Sequence, residues 1–327
     1  MFAPEFGAPL EVFPFFVGAG RSGTTLLRAM FDSHPDLAVP GESGFIIRLA
    51  RERKRYENDN GFDVGAFTDD FVTHLRFRQW DLSKDEVREA LSAGVSGYSE
   101  CIRSLYHFIA AREGKPRYGD KTPTYVLHLP LLADLFPESR FVHLIRDGRD
   151  VALSHLDIEG WGPRSFDEAA VQWRRHVRQG IVDGARLGPD RYREVHYESL
   201  IEDPESTLRE LCAFVALPFD AAMLRYFERA GKVAKGAPHF QNIHRPPTKG
   251  LRDWRREMRF EDVARFEALA GDLLNSLGYP LEGKRGVPTM LLAWSRKARV
   301  QGQWLRLKAL RAFKRARRGN RRHDKAA

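Results

Sequence analysis

Two arginines, each at the end of a short apolar run, are the first residues whose placement suggests shared chemistry: Arg21 and Arg146. Arg21 opens Arg21-Ser22-Gly23-Thr24-Thr25 after the apolar stretch Phe13 to Val17. Gly18 and Gly23 fall where the phosphate-loop pattern G-x-x-x-x-G-K-[ST] has its glycines, and Thr25 fills its hydroxyl position. The glycines permit a tight turn, and amides at a helix start point toward an anion. Thr24 stands where that pattern has lysine, so the ammonium that reaches the outer phosphates of a nucleoside triphosphate is missing. Arg21 supplies a cation three residues earlier. The loop suits a phosphate-like group better than ATP with magnesium; a strand-to-helix turn that binds nothing is the plain alternative.

Arg146 follows the apolar run Phe141 to Ile145 and precedes Asp147-Gly148-Arg149-Asp150. Ligands of open parallel sheets sit outside the carboxyl ends of the strands, so Arg146 is expected to face the same crevice as Arg21. Asp150 is expected to cap the helix that follows. Ser154, about two helical turns on, would bring a hydroxyl to the same anion. Two cationic strand ends on one crevice suit a ligand with several phosphates and no metal. The bland reading is a strand end with a solvated Arg146–Asp147 pair.

Together, R-S-G-T-T-L-L and R-D-G-R-D-V-A-L-S resemble the sulfotransferase family that uses 3′-phosphoadenosine 5′-phosphosulfate (PAPS). The likeness spans roughly residues 12 to 255, and two linked motifs are more specific than one loop. The resemblance implies a P-loop NTPase-like three-layer α/β fold, with a central parallel sheet flanked by helices. It matches Arg21, Ser22, Gly23, Thr24 and Thr25 to the 5′-phosphosulfate loop and Arg146 and Ser154 to the 3′-phosphate site. The segment from Arg28 through His34-Pro35-Asp36 to Gly41-Glu42 is most similar to the branch containing tyrosylprotein sulfotransferases and bacterial relatives, whose catalytic base falls at Glu42. A base is required because the acceptor hydroxyl must lose a proton; an exposed acid capping a helix from Phe45 is the simpler fate.

By the same resemblance Lys121 stands beside the bridging oxygen of the donor, Tyr197 approaches the nucleotide, and Lys249-Gly250 belong to a late loop that closes over the phosphates. Each has a duller alternative: a solvated lysine, a core aromatic and a basic surface loop. Lys121 is expected at the end of a short strand, Arg117 to Gly119, before a helix led by Pro123. The implied reaction is in-line attack, releasing adenosine 3′,5′-bisphosphate (PAP), with positioning and charge stabilisation dominant. Arg21, Lys121, Lys249 and the loop amides would neutralise the transferring group. Neither the histidines nor the two cysteines show zinc-ligand spacing.

These residues need a scaffold, and the pattern supplies one. Apolar runs near 12–17, 140–145 and 191–196 alternate with helical periodicity, the signature of a parallel sheet. Residues 45–112 read as a helical insertion after the first βα unit, expected to cap the acceptor side, with capping boxes at Ser83 and, further on, Ser165. The catalytic domain is expected over 1–284 and a basic helical tail over 285–327.

The net charge of +9 is concentrated in that tail, which holds 14 lysines and arginines against one acid, Asp324. Residues 290–313 read as an amphipathic helix with Trp304, suiting an anionic membrane surface through residues 286–322. Nucleic acid is the less favoured partner, and a solvated tail is the plain alternative. No run approaches the ~20 apolar residues that span a bilayer, and no secretory apolar segment follows Met1, so a cytoplasmic, membrane-proximal enzyme is expected. The disulfide that joins the Gly-Glu and Lys segments in animal Golgi members has no counterpart, which favours a carbohydrate, lipid or other small-molecule acceptor over protein tyrosine. Two other classes stay open: a P-loop nucleotide kinase or ATPase, and a catalytically silent membrane- or nucleic-acid-binding module.

Overall fold

Strand β1, Phe13–Gly18, is buried along its whole length, which fits a strand covered on both faces. The computed structural model describes residues 11–58, 61–92, 94–158, 162–229, 243–247 and 252–282. They divide into two units, one from residues 1–146 and 176–251, the other from 147–175 and 252–327.

In the first unit β1 leads into helix α1, Thr24–Asp32, and short strand β2, Leu37–Ala38. The insertion then carries α2 (Ile46–Ala50), a two-residue hairpin of β3 (Glu57–Asn58) and β4 (Gly61–Phe62), α3 (Val64–Val72), α4 (Lys84–Ala90) and α5 (Tyr98–Arg112). The Ser83 capping box forms as expected. Beyond it come β5 (Arg117–Tyr118), β6 (Asp120–Lys121), a 3-10 turn at Pro123–Leu127, α6 (Leu129–Leu135) and β7 (Ser139–Ile145). Strand β8 is Tyr192–His196, followed by α9 (Tyr197–Glu202) and α10 (Pro204–Phe214).

The main sheet runs β6-β1-β7-β8, and every neighbouring pair is parallel. Alternation along β1 feeds two cores. Phe13, Phe15 and Val17 join the insertion's Phe45, Phe67, Phe71, Trp80 and Tyr106. Phe16 joins α1 and α10 through Met30, Phe31, Leu208 and Leu211. The α/β parallel sheet flanked by helices is therefore the architecture.

The strand expected at Arg117–Gly119 is divided. Arg117 and Tyr118 pair with β2, whereas Asp120 and Lys121 join the main sheet opposite Phe15 and Phe16. Gly119 makes the transfer; a Cβ there would lie 3.0 Å from Pro14 Cγ and 3.1 Å from its carbonyl oxygen. Lys121 is thus part of an edge strand of the main sheet rather than a solvated strand end.

The second unit holds α7, Gly148–Leu156, the first part of α8 (Phe166–Leu187), and helices Trp254–Glu257 and Phe260–Ser276. Its core gathers Leu153, Trp254, Met258 and Val263. Asp147, not Asp150, caps α7, accepting the Arg149 amide. Asp150 lies inside the first turn and accepts the Trp254 amide at 2.9 Å. At α8 the box is half formed: Ser165 accepts the Glu168 amide, but Glu168 reaches back to Arg164 instead.

Candidate active site

Helix α1 starts on a glycine because nothing else fits. Gly23 has φ +95°, and a Cβ would sit 2.4 Å from the Tyr197 ring. Among the described residues no side chain caps the helix, and no acid occupies its first turn, so its first amides and positive dipole end are left for an anion. Arg21 also adopts a left-handed conformation, φ 70°, which costs a non-glycine residue free energy. Ser22 is fully buried, and its hydroxyl has no hydrogen-bond partner among the described residues. A tight glycine cradle with an unsatisfied buried hydroxyl fits a phosphosulfate or phosphate end.

Beside this loop the structure brings together Glu42, Lys121 and Thr25. The Lys121 ammonium donates to Glu42 Oε1 at 2.8 Å and to Thr25 Oγ1 at 3.5 Å. The Lys121 side chain is 3% exposed and that of Glu42 25%. The other Glu42 oxygen, Oε2, pairs with Arg76 at 3.2 Å. Burial pushes the Glu42 carboxyl up, but Lys121, through charge and hydrogen bond, then Arg76 and Arg28, together hold it below the usual carboxylate value. Burial lowers the Lys121 ammonium, and Glu42 offsets part of that. The pair is a carboxylate and a cation at the mouth of an anion cradle, the arrangement a base and a leaving-group stabiliser need.

Four segments hold the Glu42 turn. Asp32 accepts the Val39 amide at 2.8 Å, and Arg28 donates to the Val39 carbonyl at 2.9 Å. From the insertion, Trp80 donates to the Gly41 carbonyl at 3.1 Å. On the far side Ser43 binds Asp120, Thr122 and Tyr125.

Tyr197 lies against Gly23, and the Arg146 guanidinium stacks over its ring at 4.5 Å. The first unit thereby gathers Gly23, Tyr197 and Arg146 beside the loop. Ser154 lies in the second unit on α7, buried. There Asp147 Oδ2 accepts from Arg149 at 2.7 Å and from the Trp254 indole at 3.0 Å. The buried Arg149 stacks on Trp254 at 3.6 Å and reaches Glu267 at 2.6 Å. Asp147 and Arg149 of the second motif are thus tied up in holding its loop, not solvated. Lys249 and Gly250 lie outside the described residues, as does the basic tail.

Sequence reading missed Arg76, Arg28, Ser43 and Asp120. Arg28 was detectable: it sits one helical turn after Thr24 and Thr25, on the face that meets the turn. The Glu42 partner of Arg76 and the Ser43 partner of Asp120 are distant in the chain, and no local pattern marks those pairings.

The sulfotransferase family profile matches residues 14–221. Protein-tyrosine sulfotransferase A of Caenorhabditis elegans is 28% identical over 228 residues, covering 67% of this chain and 54% of that protein. Protein-tyrosine sulfotransferase 1 of Danio rerio is 26% identical over 279 residues, covering 81% of this chain and 71% of that protein. The chain thus spans between about half and about seven tenths of these relatives. Among solved structures, the sulfotransferase domain of the Synechococcus PCC 7002 olefin synthase superposes with a TM-score of 0.58 at 23% identity, covering 83% of this chain and 96% of that one. That likeness supports the fold.

Proposed function

The chain belongs to the sulfotransferase family, enzymes whose donor is PAPS, and from that premise we propose that it transfers a sulfuryl group to an acceptor hydroxyl with Glu42 as the base. The observation that carries the reading is the 2.8 Å Glu42–Lys121 pair next to Thr25 at the start of α1. PAPS, when bound, supplies the sulfuryl group and PAP as leaving group. The first amides of α1 and the buried Ser22 hydroxyl bind its phosphosulfate end, with Arg21 adding charge. Arg146, stacked on Tyr197, is the cation for the 3′-phosphate. Lys121 offsets charge growing on the leaving oxygen. Glu42, kept ionised by its cationic neighbours, takes the acceptor proton.

The acceptor belongs to the same proposal. A carbohydrate, lipid or other small-molecule hydroxyl is the first reading. The names of the relatives favour a second, the phenol of a protein tyrosine. A cytoplasmic setting, with residues 286–322 on an anionic membrane face, completes it; salt-sensitive sedimentation with anionic liposomes tests that part.

Calorimetry with PAP against Mg-ATP tests the donor reading, with Arg146→Ala as control. Metal-independent PAP binding lost in the variant is the expected result. Binding of Mg-ATP alone would return the chain to the nucleotide-kinase reading, and binding of neither would favour a silent module. With an acceptor found by labelled-sulfate transfer to saccharide, lipid and tyrosine-peptide probes, Glu42→Gln should lower turnover by about 100-fold or more. PAP affinity should hardly change; unchanged turnover would remove Glu42 from the role of base.

A further inference from the structure

The pleat sends Asp120 and Lys121 to opposite sides of β6. Lys121 meets Glu42; Asp120 turns the other way and is fully buried. There a single carboxylate oxygen, Oδ2, accepts from three hydroxyls: Tyr106 at 2.6 Å, Ser43 at 2.7 Å and Thr122 at 3.2 Å. The Ser43 amide donates to Thr122 Oγ1 at 3.0 Å. Ser43 Oγ also lies 2.8 Å from the Tyr125 hydroxyl, which accepts the Ile46 amide at 3.1 Å. The donor count closes if Tyr125 donates to Ser43 and Ser43 donates to Asp120.

A buried acid destabilises a fold unless its hydrogen bonds offset the loss of water. Burial pushes the Asp120 carboxyl up to about 6, against the pull of the three hydroxyls and of Lys121. Its other oxygen, Oδ1, has no hydrogen-bond partner among the described residues. An apolar residue would sit there at less cost, so stability alone does not explain the acid. Geometry does. Ser43 is the residue after Glu42, and Thr122 is the residue after Lys121. Asp120 joins the two segments one residue away from the pair that faces the donor loop.

We propose that Asp120 is a positioning residue: by gathering the hydroxyls of Ser43, Thr122 and Tyr106, it sets the Glu42 turn against β6 and fixes where the Lys121 ammonium meets the leaving phosphate. The proposal rests on the reading of Lys121 as the cation at that phosphate. Tyr106 anchors the cluster to α5, and Tyr125 anchors it to the turn after β6, so the acid links four segments rather than two.

The test is PAP binding by the full chain, measured by calorimetry with melting temperature recorded alongside. The variants are Asp120→Asn, Thr122→Val, Thr122→Ser and Lys121→Ala, with the first two repeated in the Lys121→Ala background. Asp120→Asn and Thr122→Val should each weaken PAP roughly five- to twenty-fold, a range set by couplings between residues in contact. Thr122→Ser keeps the hydroxyl and should restore binding. In the Lys121→Ala background neither change should weaken PAP further. Wild-type affinity in both variants, or equal losses with and without Lys121, would overturn the proposal. Thr122→Val removes a hydroxyl at nearly constant shape, so it decides the matter if Asp120→Asn does not fold. A wild-type chain that fails to bind PAP would instead overturn the donor reading.

Discussion

Both oxygens of Glu42 are held by cations, Lys121 on Oε1 and Arg76 on Oε2. Arg76 is among the groups that keep the carboxyl below its usual value, so its removal must let that value rise. Arg76→Gln should therefore move the acid limb of the kcat/KM profile to higher pH, because Glu42 then takes up its proton earlier as pH falls. A limb that stays in place or moves to lower pH would show that the Arg76 pair does not reach the reacting form. At this scale the sequence marks candidates where they fall in a local pattern. Arg21, Arg146, Glu42 and Lys121 each belong to a short motif. Arg76 belongs to none, since it lies on the insertion and meets Glu42 only because Trp80 and its neighbours fold back over Gly41.

The elements were legible to the extent that their signals are periodic. The three long strands of the sheet fall within a residue or so of the apolar runs, and the Ser83 box caps α4 as its spacing requires. The cap of α7 was misassigned because Asp147 and Asp150 are both good caps. The helix starts at Gly148, which puts Asp147 at the cap and Asp150 inside the first turn; Trp254 binds both, its backbone amide to Asp150 and its indole to Asp147. Gly23 is the element-scale position with the least latitude. Gly23→Ala would place an L-residue at φ +95° and a methyl 2.4 Å from Tyr197, and strained backbone of this kind costs about 1–3 kcal/mol. The melting temperature should fall and PAP binding should weaken by about tenfold or more. An alanine variant that binds PAP like the parent would mean that the turn is not the phosphate cradle.

For the whole molecule, Asp120 links the site to stability. Its carboxyl lies at about 6 in the fold, against an ordinary value of about 4. Such a group stabilises the fold fully below pH ~4, and that contribution is lost as pH rises through about 6. The other titratable groups around it are Lys121, Tyr106, Tyr125 and Arg28. Wild type should therefore be most stable relative to Asp120→Asn near pH 4, with the difference shrinking by up to about 3 kcal/mol toward pH 7. Chemical denaturation of the pair across that range measures it; a difference that stays flat or grows would contradict the assignment. Composition could not have exposed this, because one buried acid among 44 acidic residues leaves no trace in net charge. Strand β6 carries one more consequence. With only Asp120 and Lys121 in it, its two sides are assigned by odd and even count from Gly119. Drift in chain length just ahead of Lys121 is thus filtered by parity: a change of one residue trades acid for cation across the sheet, whereas a change of two preserves the assignment.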